Sequence, residues 1–183
     1  EYSGDQVPDL DPVLEALAAT GRSTGAAVLS DAVARADAWK VRADAVGLLA
    51  KIAVGMPAKS ARPTAMVEDC AVPVASMCEF IAEFRDVLDS FGVQYAMFGH
   101  ADVGCVHVRP ALDTIDTGDE GLVRRITDRV VEVVARHGGV LWGEHGRGYR
   151  GEFVETFLSQ DTIDLMRMVK TAFDAEDLLN PGK

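Results

Sequence analysis

One direct step from strand to strand limits the folds that this chain can adopt. Two short segments with strand-like composition, 93–98 and 105–109, are separated by six residues, and Gly104 lies in the turn between them. A connection this short joins antiparallel neighbours, because a crossover to a parallel strand needs a dozen or more residues. Antiparallel pairing is therefore predicted at this point.

Helical and strand patterns alternate along the rest of the chain. The clearest helix is Asp119–Arg136, which has acidic residues in its first turn and Gly138 and Gly139 beyond its end. Further helices are predicted over 11–21, 31–52, 76–91 and 161–173, further strands over 26–29, 65–70 and 140–142, and a loop over 55–62. This order favours an α+β fold with ferredoxin-like repeats, in which helices cover a mostly antiparallel sheet.

Composition and charge exclude several classes of function. The chain of 183 residues is 48% apolar, as expected of a globular domain with a real core, and its formal net charge is −11. A nucleic-acid-binding protein would show a basic stripe, and docking on anionic lipid would also need positive charge. A membrane-spanning helix would need about 18 or more consecutive apolar residues, which the sequence lacks.

The three cysteines, Cys70, Cys78 and Cys105, are predicted to be reduced thiols. An odd number without a C-x-x-C pair argues against a disulfide framework and against an iron–sulfur cluster in this chain. Free thiols are typical of cytoplasmic proteins. The sequence starts without methionine and ends on a turn-like Asn-Pro-Gly-Lys, so we expect it to be a piece of a longer protein.

Three of the four histidines lie beside glycines at predicted strand ends. His100 and His107 flank the turn of the strand pair, and Glu144 and His145 follow strand 140–142 between two glycines. Two imidazoles and a carboxylate with open positions would suit a catalytic Zn²⁺, Mn²⁺ or Fe²⁺. Histidines without a metal are an equally good interpretation of the residues alone. His137, at a helix C-terminus, is better explained by the helix dipole.

Two arginines are candidates for binding an anionic substrate. Arg42 lies on a predicted helix, where an ordinary surface cation is the simpler interpretation. Arg109 follows His107 by two residues, so both side chains leave the same face of a strand. Cys105 shares that face, but a neutral cysteine is more often a small core residue.

Three ordered motifs then resemble a known family over nearly the whole chain: G-H-A-D-V-G-C-V-H, L-W-G-E-H-G-R-G and F-D-A-E-D-L-L-N-P-G-K. They are similar to the C-terminal domain of FAD-linked oxidases, the family that includes the flavin-binding chain of glycolate oxidase, D-lactate dehydrogenase and D-2-hydroxyglutarate dehydrogenase. With V-E-D-C-A-V-P and H-V-R-P-A-L-D, the resemblance is greatest to long bacterial members fused to an iron–sulfur segment. It implies that residues 1–183 are one such domain, whose FAD-binding domain is not in this chain.

The resemblance also implies roles for individual residues. The metal ligands would be His100, His107 and Glu144, and the catalytic group near the substrate hydroxyl would be His145. Arg42 would clamp the substrate carboxylate, and Asn180 would lie near the flavin. The implied reaction oxidises a 2-hydroxy acid to a 2-oxo acid, with FAD as hydride acceptor and an unspecified electron acceptor.

Departures from the family pattern concern the substrate. Many members read G-H-x-G-D-G-N-L-H, whereas this chain has Asp102, Val103 and Cys105 in place of Gly, Asp and Asn. Arg109 replaces an Asn, and a second positive charge would suit a dicarboxylate or a bulkier acid. Two other functions stay open: a flavin-independent metal-dependent hydrolase or lyase using the His-His-Glu set, and a non-catalytic module whose histidines are structural.

Overall fold

The computed structural model describes residues 9–21, 24–53, 62–113 and 119–182, with side chains outside 45–53 and 119–120. The chain divides into two compact units, 1–45 and 46–183. Helix α1 (Asp11–Ala19) belongs to the first unit, and helix α2 (Ala32–Ala53) starts there and continues into the second. Both helices were predicted, whereas the predicted loop 55–62 falls almost entirely outside the described residues.

The predicted strand 26–29 is wrong. Residues 25–30 form neither helix nor strand, and Val28 and Leu29 are exposed. A strand forms only when a neighbour satisfies its backbone groups, and no pairing partner for this segment is found among the described residues.

The second unit is built around a four-stranded antiparallel sheet. Its strands are β1 (Arg62–Pro63), β2 (Cys70–Ala71), β3 (Tyr95–His100) and β4 (Cys105–Leu112). Strand β4 is central: it pairs with β3 along its length, with β2 near its start and with β1 at its end. The predicted strand pair is therefore confirmed, with Phe98 opposite His107 and His100 opposite Cys105.

Within the described part of the second unit, four α-helices follow β2 in the chain: α3 (Met77–Ser90), α4 (Asp119–Arg136), the short α5 (Val154–Phe157) and α6 (Gln160–Phe173). Apolar residues at helical spacing in α3 and α4 pack in the core with β4. The core includes Phe80, Phe84, Leu88, Val106, Val108, Ile126, Val130 and Val134. The predicted α+β class, with helices covering a mostly antiparallel sheet, is confirmed. None of the helices within the described ranges has the length and apolar character needed to cross a bilayer.

Strand β4 is buried on both of its faces. Val106 and Val108 point into the hydrophobic core, so Cys105 and His107, which alternate with them, point to the opposite face. His107 is nevertheless only 3% exposed. The sheet thus holds one imidazole rigidly at its centre, under a layer of loops.

Two predicted strands are much shorter in the structure. Of segment 65–70 only Cys70 joins β2, because Asp69 has a left-handed backbone with φ of 72° that interrupts an extended chain. Of segment 140–142 only Val140 pairs, through a single bridge to Ala71. Both segments instead form loops beside β4.

A candidate metal centre over strand β4

The loop 143–145 is held to the sheet by one buried residue, Asp69. The amide of Gly143 donates to the backbone carbonyl of Asp69 at 2.8 Å. The amides of Glu144 and His145 each donate to one carboxylate oxygen of Asp69, both at 2.9 Å. Charged hydrogen bonds of this kind contribute more than neutral ones. Asp69 therefore fixes the two functional candidates that follow Gly143.

Gly143 is required by the closeness of this contact. A side-chain Cβ at this position would lie 2.8 Å from Sγ of Cys105 and 3.2 Å from Oδ1 of Asp69. The loop can approach β4 only because residue 143 lacks that atom.

A buried guanidinium, that of Arg150, joins the segment around Glu68 to the loop around Gly146. Arg150 is 4% exposed and donates to the backbone carbonyls of Glu68 and Gly146, each at 2.7 Å. Its Nη2 also lies 3.6 Å from Oδ2 of Asp69, so its positive charge compensates that buried carboxylate.

Three imidazoles surround one oxygen of Glu144. Oε1 of Glu144 lies 2.7 Å from Nε2 of His107, 3.2 Å from Nε2 of His100 and 3.6 Å from Nε2 of His145. Neighbouring ligands of a tetrahedral metal with bonds of ~2.0–2.1 Å lie roughly 3.3 Å apart. The distances from Oε1 of Glu144 to the three nitrogens, and the nitrogen–oxygen donor set, are therefore of the kind that a divalent metal needs. Glu144 and His145 are about half exposed, so the site is open on one side.

The group of mutually close potential ligands found among the described residues contains Asp69 and leaves out His100. Asp69, His107, Glu144 and His145 each offer one ligand atom, and these atoms lie within 4.8 Å of one another. Both carboxylate oxygens of Asp69, however, already accept backbone amides. Asp69 thus acts in this geometry as a support for the site.

The rings of the three histidines also contact one another. His145 stacks on His107 with centroids 4.8 Å apart and an interplanar angle of 15°. His100 meets His107 edge-on at 5.7 Å. Burial of His107 in the sheet therefore also fixes the position of the more exposed His145.

Cys105 is a protonated thiol beside the site. Its Sγ donates to Oδ1 of Asp69 at 3.8 Å and lies 3.9 Å from Nε2 of His107. Burial, and then the negative charge of Asp69, raise the pKa of Cys105 to about 11. The position is consistent with the small, neutral residue predicted from the sequence.

Arg109 is engaged with a second buried acid. It leaves the same face of β4 as His107 and forms an ion pair with Oε2 of Glu68. The other oxygen of Glu68, Oε1, lies 3.4 Å from Nδ1 of His145. If Arg109 binds substrate as predicted, it must do so with the guanidinium nitrogens that do not pair with Glu68.

Two predicted site residues belong to other parts of the chain. Arg42 is an exposed residue of α2 in the first unit. Asn180 lies in the C-terminal turn and lines a cavity of about 830 Å³ together with Arg147, Arg167 and Lys170. Their roles toward substrate and flavin stay predictions.

Three residues of the site were missed at the sequence level. Glu68 and Asp69 stood in the quoted motif V-E-D-C-A-V-P, and Arg150 follows the motif around Glu144, but none was given a role. Two adjacent acids in an otherwise apolar segment were an available signal, because buried carboxylates need partners.

Comparison with known proteins supports the resemblance of the motifs. Residues 2–183 match the family of FAD linked oxidases, C-terminal domain. The chain is 39% identical over its whole length to a D-2-hydroxyglutarate dehydrogenase of Pantoea ananatis and 46% identical over 79% of its length to one of Escherichia coli. It is 30% identical over 67% of its length to the GlcD chain of glycolate oxidase from Bacillus subtilis.

The chain covers only a part of these relatives. It spans 18% of the Pantoea protein, 14% of the Escherichia protein and 26% of the Bacillus protein. The match over 2–183 includes all three motifs and every residue of the site over β4. The chain belongs to the FAD-linked oxidase family, as a C-terminal domain of that family.

Proposed function

We propose that this chain is the substrate- and metal-binding cap of a flavin-dependent dehydrogenase that oxidises a 2-hydroxy acid to a 2-oxo acid. The observation that carries the proposal is the convergence of three imidazole nitrogens on Oε1 of Glu144, in a chain of the FAD-linked oxidase family. The names of two similar relatives make D-2-hydroxyglutarate the first substrate to test.

His100, His107 and Glu144 would hold the metal, which we expect to be Zn²⁺, Mn²⁺ or Fe²⁺. A bound divalent cation would supply Lewis acidity and so lower the pKa of a coordinated hydroxyl, as it does for water. His107 is buried and rigid, whereas Glu144 lies on a loop that Asp69 fixes. The donor set is therefore preorganised by the sheet and by one buried carboxylate.

His145 is the group proposed to take the proton of the substrate hydroxyl. Its Nε2 faces Oε1 of Glu144 at 3.6 Å, so it lies at the rim of the same small volume. Its side chain is 45% exposed, which leaves room for a substrate. An imidazole can accept a proton near neutral pH, and FAD held mainly by the rest of the protein would supply the acceptor for the hydride.

Two cations are proposed to select the substrate. Arg42 would make a charge-assisted, bidentate contact with the carboxylate next to the hydroxyl. Arg109 would add positive charge for a second carboxylate, as in a dicarboxylic 2-hydroxy acid. FAD would be bound mainly by the remainder of the protein, with Asn180 near the ring system.

The exposed face of α6 is proposed to dock on this flavin-binding part. Leu165, Met168, Val169 and Phe173 are between 52% and 88% exposed, and Leu178 and Leu179 in the following turn are also exposed. An apolar patch of this kind marks an interaction surface. Because the chain spans only 18% and 14% of two relatives, the flavin-binding part of the same protein is the proposed occupant.

Two further features of the whole protein are proposals. An iron–sulfur cluster in another segment is expected from the resemblance to the fused bacterial members, and the electron acceptor is left open. A cytoplasmic location is favoured by Cys70, Cys78 and Cys105, all of which are free thiols.

The proposal is tested with the full-length protein. We expect D-2-hydroxy acids to bleach its flavin absorbance under anaerobic conditions, to support turnover with a dye acceptor, and to require a bound divalent metal. A protein that converts its substrate without flavin reduction would instead be the metal-dependent hydrolase or lyase. The family match to flavin-linked oxidases disfavours that alternative.

A further inference from the structure

The carboxylate of Glu68 bridges the central strand and the loop that carries the proposed base. One oxygen, Oε2, pairs with Arg109 of β4, and the other, Oε1, lies 3.4 Å from Nδ1 of His145. Glu68 is only 9% exposed. The three side chains therefore form a chain Arg109–Glu68–His145.

Within the described residues, Glu68 supplies the carboxylate oxygen nearest to Nδ1 of His145. The other candidate, Oδ1 of Asp69, lies farther away, at 3.9 Å. That oxygen already accepts the amide of Glu144. Glu68 is therefore the better partner for a proton on Nδ1 of His145, although an open site can leave such contacts longer than in a substrate complex.

A hydrogen-bond acceptor at Nδ1 of His145 determines whether Nε2 of the same ring is free to accept a proton. The two ring nitrogens are distinct, and a carboxylate that accepts the Nδ1 proton leaves Nε2 as the free acceptor. Nε2 is the atom that faces the proposed metal site. The stack on His107 restrains the plane of the ring, and a hydrogen bond from Nδ1 to Oε1 of Glu68 would restrain its rotation within that plane.

We infer that Glu68 is a positioning residue for His145, and that Arg109 holds Glu68 in place. The inference rests on the proposed function, because it names the residue that orients the proposed base. Arg109 also compensates the charge of Glu68, which would otherwise be a buried acid beside Asp69.

The chain contains a matched control for this arrangement. Glu83 also bridges an arginine and a histidine: it pairs with Arg136 and lies 3.3 Å from Nε2 of His137. These residues come from α3 and the end of α4, and they are not part of the site over β4. Glu83→Gln therefore removes the same kind of contact without touching the proposed base.

The test uses the full-length enzyme and the rate constant of anaerobic flavin reduction by D-2-hydroxyglutarate. Glu68→Gln is expected to lower this rate constant by roughly 10–100-fold, the usual effect of removing an outer partner. KM and metal content should change little. Glu68→Asp, which keeps the charge, should recover part of the rate, and Glu83→Gln should behave as wild type.

A double-mutant cycle separates positioning from a general loss of structure. With His145→Ala already present, Glu68→Gln should have almost no further effect, because both changes act on the same step. Additive effects, or loss of the metal in Glu68→Gln, would overturn the inference.

Arg109→Gln gives a second route if Glu68→Gln does not fold. It should lower the same rate constant and, because Arg109 is also proposed to bind the second carboxylate of the substrate, raise KM for D-2-hydroxyglutarate. An unchanged rate constant, whatever the effect on KM, would mean that Arg109 does not act through Glu68. If the flavin of the wild-type protein is not reduced by any 2-hydroxy acid, both the proposed function and the inference are wrong. If the wild type is active and the Glu68 and Arg109 variants reduce flavin at the wild-type rate, only the inference is wrong.

Discussion

Oε1 of Glu144 lies 2.7 Å from Nε2 of His107, although Glu144 belongs to a loop and His107 to the centre of the sheet. The side chain of His107 is 3% exposed and that of Glu144 is 44% exposed. The pair therefore joins a rigid, buried donor to one that a ligand can reach from solvent. This combination suits a metal centre that binds substrate, because one side of the site stays open.

The first prediction separates the proposed metal ligand, Glu144, from the proposed base, His145, at adjacent positions. In the full-length enzyme, Glu144→Gln is expected to lose metal, because a neutral amide oxygen binds a divalent cation more weakly than a carboxylate. Excess metal should restore part of its activity. His145→Ala should retain its metal and lose kcat by roughly 10²–10⁴-fold.

Elemental analysis and kcat for the two variants provide the measurement. If His145→Ala is purified without metal and recovers on its addition, His145 is a ligand. The division of roles between Glu144 and His145 would then be wrong.

The second prediction concerns the support of the loop by Asp69. Asp69→Asn replaces one acceptor oxygen by an amide group, so one of the amides of Glu144 and His145 loses its partner. Charged hydrogen bonds contribute roughly 1.5–3 kcal/mol, so the amide that loses its partner should exchange with solvent roughly 10–150 times faster. Hydrogen–deuterium exchange of the peptide around 143–145, measured in the full-length protein, tests this.

Asp69→Gly is the control for backbone strain. Glycine accepts the φ of 72° found at this position but offers no side-chain acceptor. Equal protection in wild type and in Asp69→Gly would show that the carboxylate is not what holds the loop.

The third prediction concerns the buried guanidinium of Arg150. Arg150→Lys keeps the charge but cannot reach both the carbonyl of Glu68 and that of Gly146. Each buried carbonyl left without a donor costs roughly 1–3 kcal/mol, so the domain should unfold at a lower temperature. Arg167→Lys is the matched control, because among the described residues Arg167 forms an ion pair only with the exposed Asp164, and such pairs contribute little. Calorimetry of the full-length variants measures their unfolding temperatures. Equal unfolding temperatures for the wild type and Arg150→Lys would contradict the prediction.

The fourth prediction is about the order of thiol reactivity. Cys78 is exposed, whereas Cys70 and Cys105 are buried. Burial raises the pKa of Cys105 to about 11 and that of Cys70 further still. Because the thiolate is the reactive form, alkylation near pH 8 should modify Cys78 first. Peptide mass spectrometry over time measures this, and early labelling of Cys105 would contradict it.

The raised pKa of Cys105 also predicts that the stability of the folded state depends on pH. The folded state holds the thiol proton of Cys105 more tightly than the unfolded state, whose pKa is about 8.5. Above that pH the unfolded state therefore binds fewer protons, and stability decreases as the pH rises toward about 11. Cys105→Ser should make the decrease smaller in denaturation experiments at alkaline pH.

The fifth prediction concerns the carboxylate clamp. Arg42→Ala in the full-length enzyme should raise KM, since loss of a charge-assisted contact costs roughly 1.5–3 kcal/mol, or 10–150-fold. Lys40→Ala is the matched control on the same helix, where Lys40 forms an exposed pair with Asp44. Steady-state kinetics of both variants is the measurement. Unchanged kinetics for Arg42→Ala would make it an ordinary surface cation.

The sequence pattern alone predicted a helix or strand correctly where that element is stabilised by the apolar face that its own residues form. Helix α4 runs from Asp119 to Arg136, as its apolar spacing and flanking glycines predict. The β3–β4 pair and α3 also follow from spacing and from glycine at their ends. By contrast, segments 26–29, 65–70 and 140–142 have strand-like composition, and composition does not show whether a partner strand is available.

For the candidate site, the sequence by itself determined which side chains are proposed to carry the chemistry, namely imidazoles and a carboxylate near glycines of predicted strand ends. Tertiary structure alone decided how they are arranged. Asp69 holds amides 75 and 76 residues away, and Glu68 joins Arg109 to His145. Alternation along a strand gives the face on which a side chain lies, but it does not give the loop that covers that face. Contacts between distant segments depend on how β4 is buried, so the partners of Glu68 and Asp69 appeared only once the sheet and its loops were assembled.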